Sequence, residues 1–160
     1  MTVTRKTTML LAAGGSLALL LGAFFFQALG YAPCKLCLWQ RWPHGAAIVV
    51  GALVLLTAPL LLWALAGALS AATSGAIGVY HTGVERGWWE GPTTCSGGGN
   101  ALDGMSGADL LSLDAPVDIV MCDEVAWAFL GLSMASWNAL ASFALAGLWL
   151  WALTRPAQTA

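Results

Sequence analysis

All eight carboxylates of this 160-residue chain fall between Glu85 and Glu124, and the stretches on either side run almost free of charge. An ionised side chain at the centre of a bilayer costs roughly 2.5–3.5 kcal/mol even on the mildest scales. The acidic window must therefore be aqueous, while its flanks are free to lie in lipid. Charged residues make up 9% of the chain and hydrophobic ones 59%, against a charged fraction of ~25% in soluble domains. This excludes an ordinary soluble fold and leaves one integral membrane domain, residues 1–160, with no room for a second.

The apolar runs set the number of crossings. Arg5 and Lys6 precede an apolar segment, Met9 to Leu29, matching the ~20 residues that cross ~30 Å of hydrocarbon. Ala28-Leu29-Gly30 resembles a signal cleavage site, but the apolar core exceeds the ~7–15 residues of such signals, so a retained anchor is expected. Pro43 to Thr82 carries no fixed charge and would reach ~60 Å as one helix, twice what a bilayer needs. It must fold back, and Thr57-Ala58-Pro59 is the natural break because proline disfavours helix just before itself. Gly67, Ala71 and Gly75 recur at four-residue spacing, a small-residue face suited to close helix packing. A last apolar stretch runs from Ala126 to Ala152, with Asp123 and Glu124 at its expected helix start and Trp127, Trp137, Trp149 and Trp151 at its expected membrane interfaces. The fold expected is all-α: a four-transmembrane-helix bundle with spans at about 9–29, 40–57, 60–80 and 126–152. Its loops are 30–39 and 81–125, the longer carrying a short surface helix over Met105 to Leu113.

Between the first two spans lies Pro33-Cys34-Lys35-Leu36-Cys37-Leu38-Trp39-Gln40-Arg41. A helix beginning near Cys37 places Cys37 and Arg41 one turn apart on one face. Helix start and guanidinium would both favour a Cys37 thiolate, the form that attacks disulfides. Half a zinc site is the competing reading, yet structural zinc usually takes a second closely spaced pair, and Cys95 and Cys122 are far apart. An inert brace and a metal-handling protein using the cysteines with Met121 are further alternatives. The positive-inside rule, applied to Arg5, Lys6 and Arg155, puts both termini in the cytoplasm. All four cysteines then face the oxidising side, where disulfides persist.

These residues together resemble the DsbB family of membrane thiol:quinone oxidoreductases. The resemblance rests on the Pro33-to-Arg41 motif, the Tyr80-His81 pair, a lone outer-loop Cys95, and Cys122 followed by Trp127, Leu130-Gly131-Leu132-Ser133-Met134 and Trp137. Gln40 departs from members that carry glutamate there, and the glycine-rich run after Cys95 is a second departure. What the resemblance implies is an enzyme of the bacterial inner membrane, with its cysteines periplasmic. Cys95–Cys122 would oxidise a thioredoxin-like partner of the DsbA type, Cys34–Cys37 would take up the electrons, and a quinone, ubiquinone or menaquinone, would receive them. Arg41 and His81 would contact the quinone, with no metal involved. An oxidase dedicated to a single partner fits the same residues.

Overall fold

The computed structural model describes residues 4–57, 60–92 and 121–156. Four long helices form the framework: α1 Arg5–Ala28, α2 Lys35–Leu56, α3 Leu60–Glu85 and α4 Met134–Trp151. Two short strands, β1 Ala128–Phe129 and β2 Leu132–Ser133, precede α4, and a 3-10 turn, Ala152–Thr154, extends it. Among the described residues three helical segments are long and apolar enough to cross a membrane: Arg5–Ala28, Leu60–Glu85 and Met134–Thr154. The fourth helix, α2, is of similar length but less apolar, because Lys35, Gln40, Arg41 and His44 lie in its first half. The expected surface helix at 105–113 lies outside the described residues.

Helix ends follow from local chemistry. Thr4 caps α1, its hydroxyl accepting from the Thr7 N–H at 3.4 Å. At the other end Gly30, at φ +97°, donates to the Gln27 carbonyl while Tyr31 donates to Phe26, each at 3.1 Å. That pattern is a Schellman stop, and the Phe26 and Tyr31 rings seal it at 5.8 Å. Gly87 closes α3 in the same way, with the Trp88 N–H on the Gly83 carbonyl at 2.9 Å. α2 ends at the expected break, with Thr57 as its C-cap.

The last span begins later than its composition implies. Residues 126–133 are apolar, yet Leu130 and Gly131 both adopt positive φ and turn a hairpin that pairs Ala128 with Ser133 and Phe129 with Leu132. The N-cap of α4 is Ser133, whose hydroxyl accepts from the Ser136 N–H at 3.2 Å, not Asp123 or Glu124. Trp149 also departs from expectation. It is fully buried rather than interfacial, because Gly67 on α3 leaves the space its indole fills; a Cβ at Gly67 would collide with that ring. The small-residue face of α3 is thus its contact with α4, where Gly75 meets Phe143 and a Cβ on Gly78 would lie 3.1 Å from the Ala135 carbonyl. Gly67→Ala is expected to lower unfolding stability by roughly 1–3 kcal/mol through overpacking. Thermal unfolding in detergent measures this, and an unchanged midpoint would show that α3 and α4 are not packed this closely.

The bundle has two distinct ends. At one, the Arg5 N–H donates to the Pro156 carbonyl at 3.0 Å, its guanidinium to Leu153 at 3.1 Å and Lys6 to Leu55 at 3.3 Å. The two ends of the described chain are therefore tied to each other and, through Lys6, to the end of α2. Cys34, Glu85 and Ser133, at the opposite helix termini, gather at the other end. α1 packs unevenly between them. Its buried residues, Thr8, Met9, Ala12, Ala13 and Ser16, all lie in its first half, and the second half borders a cavity instead.

Candidate functional site

Cys34 is the N-cap of α2. Its sulfur accepts from the Cys37 N–H at 3.3 Å, so the sulfur at the helix start is Cys34, not Cys37. The shift arises because Lys35, rather than Cys37, opens the helix. The two cysteines are free, with their sulfurs 3.1 Å apart. The Cys37 thiol first, then His81, hold Cys34 down to about 4, against burial that pushes it up.

Cys122 is disulfide-bonded and fully buried, in one apolar cluster with Cys34, Leu36 and Val84 and with Cys37 against its edge. Three of the four cysteines are thereby brought together. Cys95, and so its expected pairing with Cys122, lies outside the described residues.

His81 stands at the Cys34 sulfur, its Nε2 3.5 Å away and 3.9 Å from a Glu85 oxygen. Ser133, the cap of α4, donates to the other Glu85 oxygen, so the end of α3 and the start of α4 are tied together beside the dithiol. Cys34, Cys37 and the His81 imidazole also place three donor atoms within 4.8 Å of one another, a soft ligand set. His81 borders a small recess with Cys34 and Glu85 and does not line the larger cavity described next.

That cavity, about 470 Å³, lies between the second half of α1, the first half of α2, the hairpin and the start of α4. Ala18, Gly22, Phe26, Trp127 and Phe129 give it apolar walls, and Cys37, Gln40, Arg41, His44 and Asn138 supply its polar edge. Cys37, Arg41 and His44 occupy one stripe of α2, spaced by four and three residues. The Arg41 guanidinium does not cover the Cys37 sulfur. It donates to the Gln27 Oε1 at 2.7 Å and lies over the Phe24 ring at 4.9 Å. Arg41 Nε and His44 Nδ1 are buried and have no partner among the described residues.

A hydrogen-bonded chain joins the dithiol to the deep side of the cavity, and one backbone oxygen orients all of it. The Leu36 carbonyl only accepts, so the group facing it at 3.2 Å is the Gln40 Nε2 amide. The same amide meets His81 Nδ1 at 3.0 Å, which assigns the His81 hydrogen to Nε2, toward Cys34. Gln40 Oε1 accepts from Asn138 Nδ2 at 2.7 Å, which turns Asn138 Oδ1 to His44 Nε2 at 3.0 Å. Ser74 gives its proton to the Gln40 carbonyl at 3.0 Å, so it too accepts from His44 Nε2, at 3.1 Å. Sequence reading missed Gln40, His44, Ser74, Asn138 and Glu85 as members of this site. Polar side chains three, four and seven residues along from Cys37, in a helix otherwise apolar, were the available signal.

The family model described as "Disulfide bond formation protein DsbB" matches residues 5–152. An uncharacterized protein of Rickettsia prowazekii, RP370, is 29% identical over 116 residues, covering 72% of this chain and 67% of that protein. No solved structure matches. With nearly its whole length matched, and with apolar helices that gather three cysteines at one end, this chain belongs to the DsbB family of membrane proteins of disulfide bond formation.

Proposed function

We propose that this chain, a single domain of four spans in a bacterial inner membrane with both termini cytoplasmic, reoxidises a periplasmic thioredoxin-like partner of the DsbA type and delivers the electrons to a quinone. The observation that carries the reading is a division of labour between neighbouring sulfurs. Cys34 packs against Cys122, while Cys37 borders the cavity. The cavity fits a quinone ring, since its walls are apolar and Cys37 and Arg41 stand on one helical stripe at its edge.

The chain's own chemistry follows in order. A partner thiolate attacks Cys95, forming a mixed disulfide and releasing Cys122 as a thiolate. Cys122 attacks Cys34, which breaks the Cys34–Cys37 bond and frees Cys37 at the cavity. The second partner thiol then releases Cys95, which displaces Cys34 from Cys122 and leaves the Cys34/Cys37 dithiol. A quinone, when bound, supplies the acceptor for the two electrons and two protons of that dithiol. Arg41, at the edge of the cavity, would hold the ring, and His81 with Glu85 handles the proton at Cys34, the role its position supports.

Arg41→Lys is expected to weaken quinone binding by roughly tenfold and Arg41→Ala by more, since a planar fork is replaced by a point charge and then by nothing. Single-turnover partner oxidation at Cys95 should stay within about twofold. Quinone titrations in both variants measure the first, and wild-type quinone kinetics in Arg41→Ala would overturn the reading. A metal-handling reading draws on the Cys34, Cys37 and His81 donors. It predicts bound zinc or copper and protected thiols in the purified protein, which metal analysis with thiol titration decides.

A further inference from the structure

Two thiol sulfurs and one imidazole nitrogen, those of Cys34, Cys37 and His81, lie within 4.8 Å of one another. The sulfurs are 3.1 Å apart, and His81 Nε2 is 3.5 Å from that of Cys34. A tetrahedral zinc ion, ~2.3 Å from sulfur and ~2.0–2.1 Å from nitrogen, holds such atoms roughly 3.5–3.8 Å apart. The three residues border a recess of about 50 Å³ together with Glu85, whose carboxylate is 3.9 Å from the same Nε2 and in reach as a fourth ligand. By position alone the reduced pair is close to a soft-metal site. A metal seated there would hold both thiolates and keep them out of disulfide exchange.

The hydrogen on His81 decides between the two uses. A ring nitrogen binds a metal through its lone pair, and a ligating histidine almost always gives its other N–H to a carboxylate, a carbonyl or water. Gln40 imposes the reverse. It is 6% exposed, and its amide nitrogen is turned to His81 Nδ1 at 3.0 Å by the Leu36 carbonyl, 3.2 Å away, which only accepts. Gln40 Oε1 takes the Asn138 N–H at 2.7 Å. Turning the Gln40 amide over would set its oxygen against the Leu36 oxygen and its N–H against that of Asn138. Facing a donor at Nδ1, the neutral ring keeps its hydrogen on Nε2 and directs it at the Cys34 sulfur.

We propose that Gln40 is a positioning residue that holds neutral His81 as a hydrogen-bond donor to the Cys34 sulfur and thereby withholds the third ligand of a soft-metal site, keeping the reduced dithiol free for electron transfer. This rests on the dithiol half of the proposed route and not on what receives the electrons. One hydrogen has two effects. It stabilises the Cys34 sulfur whenever that sulfur leaves a disulfide as a thiolate, and it occupies the lone pair that a metal needs. A carboxylate at position 40 would do neither, because it accepts from Nδ1 and draws the hydrogen away from Nε2.

The test is a gain of binding. Full-length protein in detergent, with Cys95 and Cys122 replaced by serine, is reduced, kept anaerobic and titrated with zinc against a competing fluorescent chelator. Gln40→Glu is expected to bind zinc roughly tenfold or more tightly than the protein with Gln40, the scale on which the outer partner of a ligating histidine acts. Gln40→Leu, which gives Nδ1 neither donor nor acceptor, should gain less, and adding His81→Leu to Gln40→Glu should abolish the gain. Nitrogen chemical shifts in the metal-free protein should show His81 Nε2 protonated and Nδ1 bare with Gln40, and a hydrogen on Nδ1 in Gln40→Glu. The shifts with Gln40 need no substitution at position 40, so they decide where the hydrogen sits even where Gln40→Glu fails to fold. A smaller gain in folded Gln40→Glu, a gain that survives His81→Leu, or a bare Nε2 in the neutral ring with Gln40 would overturn the proposal. Zinc held stoichiometrically by the unsubstituted protein as isolated would overturn it in favour of metal handling. Neither readout uses quinone or partner, so a failure of the proposed electron route shows separately, in turnover.

Discussion

Cys37→Ser protein is expected to lose quinone-coupled oxidation of partner thiols by roughly 10³-fold or more, the scale on which removal of a covalent redox or nucleophilic residue acts. The loss should come from one step. Cys95 and Cys122 are untouched by the substitution, so a reduced partner should still form its mixed disulfide at Cys95 in a single turnover. Cys34 cannot rejoin Cys37, however, and the freed Cys122 has no Cys34–Cys37 bond to open. Stopped-flow partner oxidation with and without added quinone separates the two steps. Turnover retained above about a tenth of wild type would mean that electrons reach the quinone without Cys37, and the division of labour between the two sulfurs would fall. Serine nearly preserves the volume of Cys37 at the edge of its cluster, so a folding defect is not the expected cause of any loss.

The elements legible in the sequence are those fixed by chemistry along the chain. Charge exclusion delimits the apolar runs, the proline after Thr57 ends α2, and small residues on α3 mark the face that meets α4 through Gly67 and Trp149. What was not legible depends on partners distant in sequence. Trp149 reads as an interfacial tryptophan until Gly67, more than eighty residues earlier, offers it a slot. The hairpin before α4 has the same apolar content as a helix, and only the positive φ at Leu130 and Gly131 makes it turn.

The site divides in the same way. Cys34, Cys37 and Arg41 share a short motif, and their spacing alone puts Cys37 and Arg41 on one stripe of α2. Where the thiolate charge rests depends on whether the helix opens at Lys35 or at Cys37. That difference of two residues puts Cys34, rather than Leu36, at the capping position. Gln40 looked like a mere departure from the family pattern, yet it carries the hydrogen-bond chain between His81 and Asn138. Asn138 itself lies 94 residues beyond His44, and no local pattern links the two.

The placement of charge on Cys34 yields the second large effect. In the dithiol form its ionisation is expected near pH 4, far below the ordinary thiol value of about 8.5. A depressed folded-state value means that the stabilisation is fully present above the ordinary thiol range and is lost as pH falls through about 4. Across that window the reduced pair is favoured over the disulfide. Each unit by which the pH exceeds the lowered value, up to the ordinary one, is worth about 1.4 kcal/mol and about 30 mV. The Cys34–Cys37 disulfide is thereby a stronger oxidant at neutral pH than an unperturbed pair, as the proposed route of electrons from Cys95–Cys122 would require.

Two substitutions separate the sources of this shift. Cys37→Ala removes the hydrogen bond that contributes most and should raise the Cys34 value furthest. His81→Leu removes the imidazole 3.5 Å from the sulfur and should raise it as well, through loss of the Nε2–H hydrogen bond to the thiolate. The carbon shift of the Cys34 Cβ, followed against pH in reduced protein with Cys95 and Cys122 replaced by serine, reads the titration directly. The potential of the pair, measured against a thiol buffer at neutral pH, should become more reducing in His81→Leu in proportion to that rise. An ordinary thiol titration for Cys34 in the otherwise intact site, or a potential in His81→Leu equal to wild type, would remove the helix start and His81 as the cause of its oxidising strength.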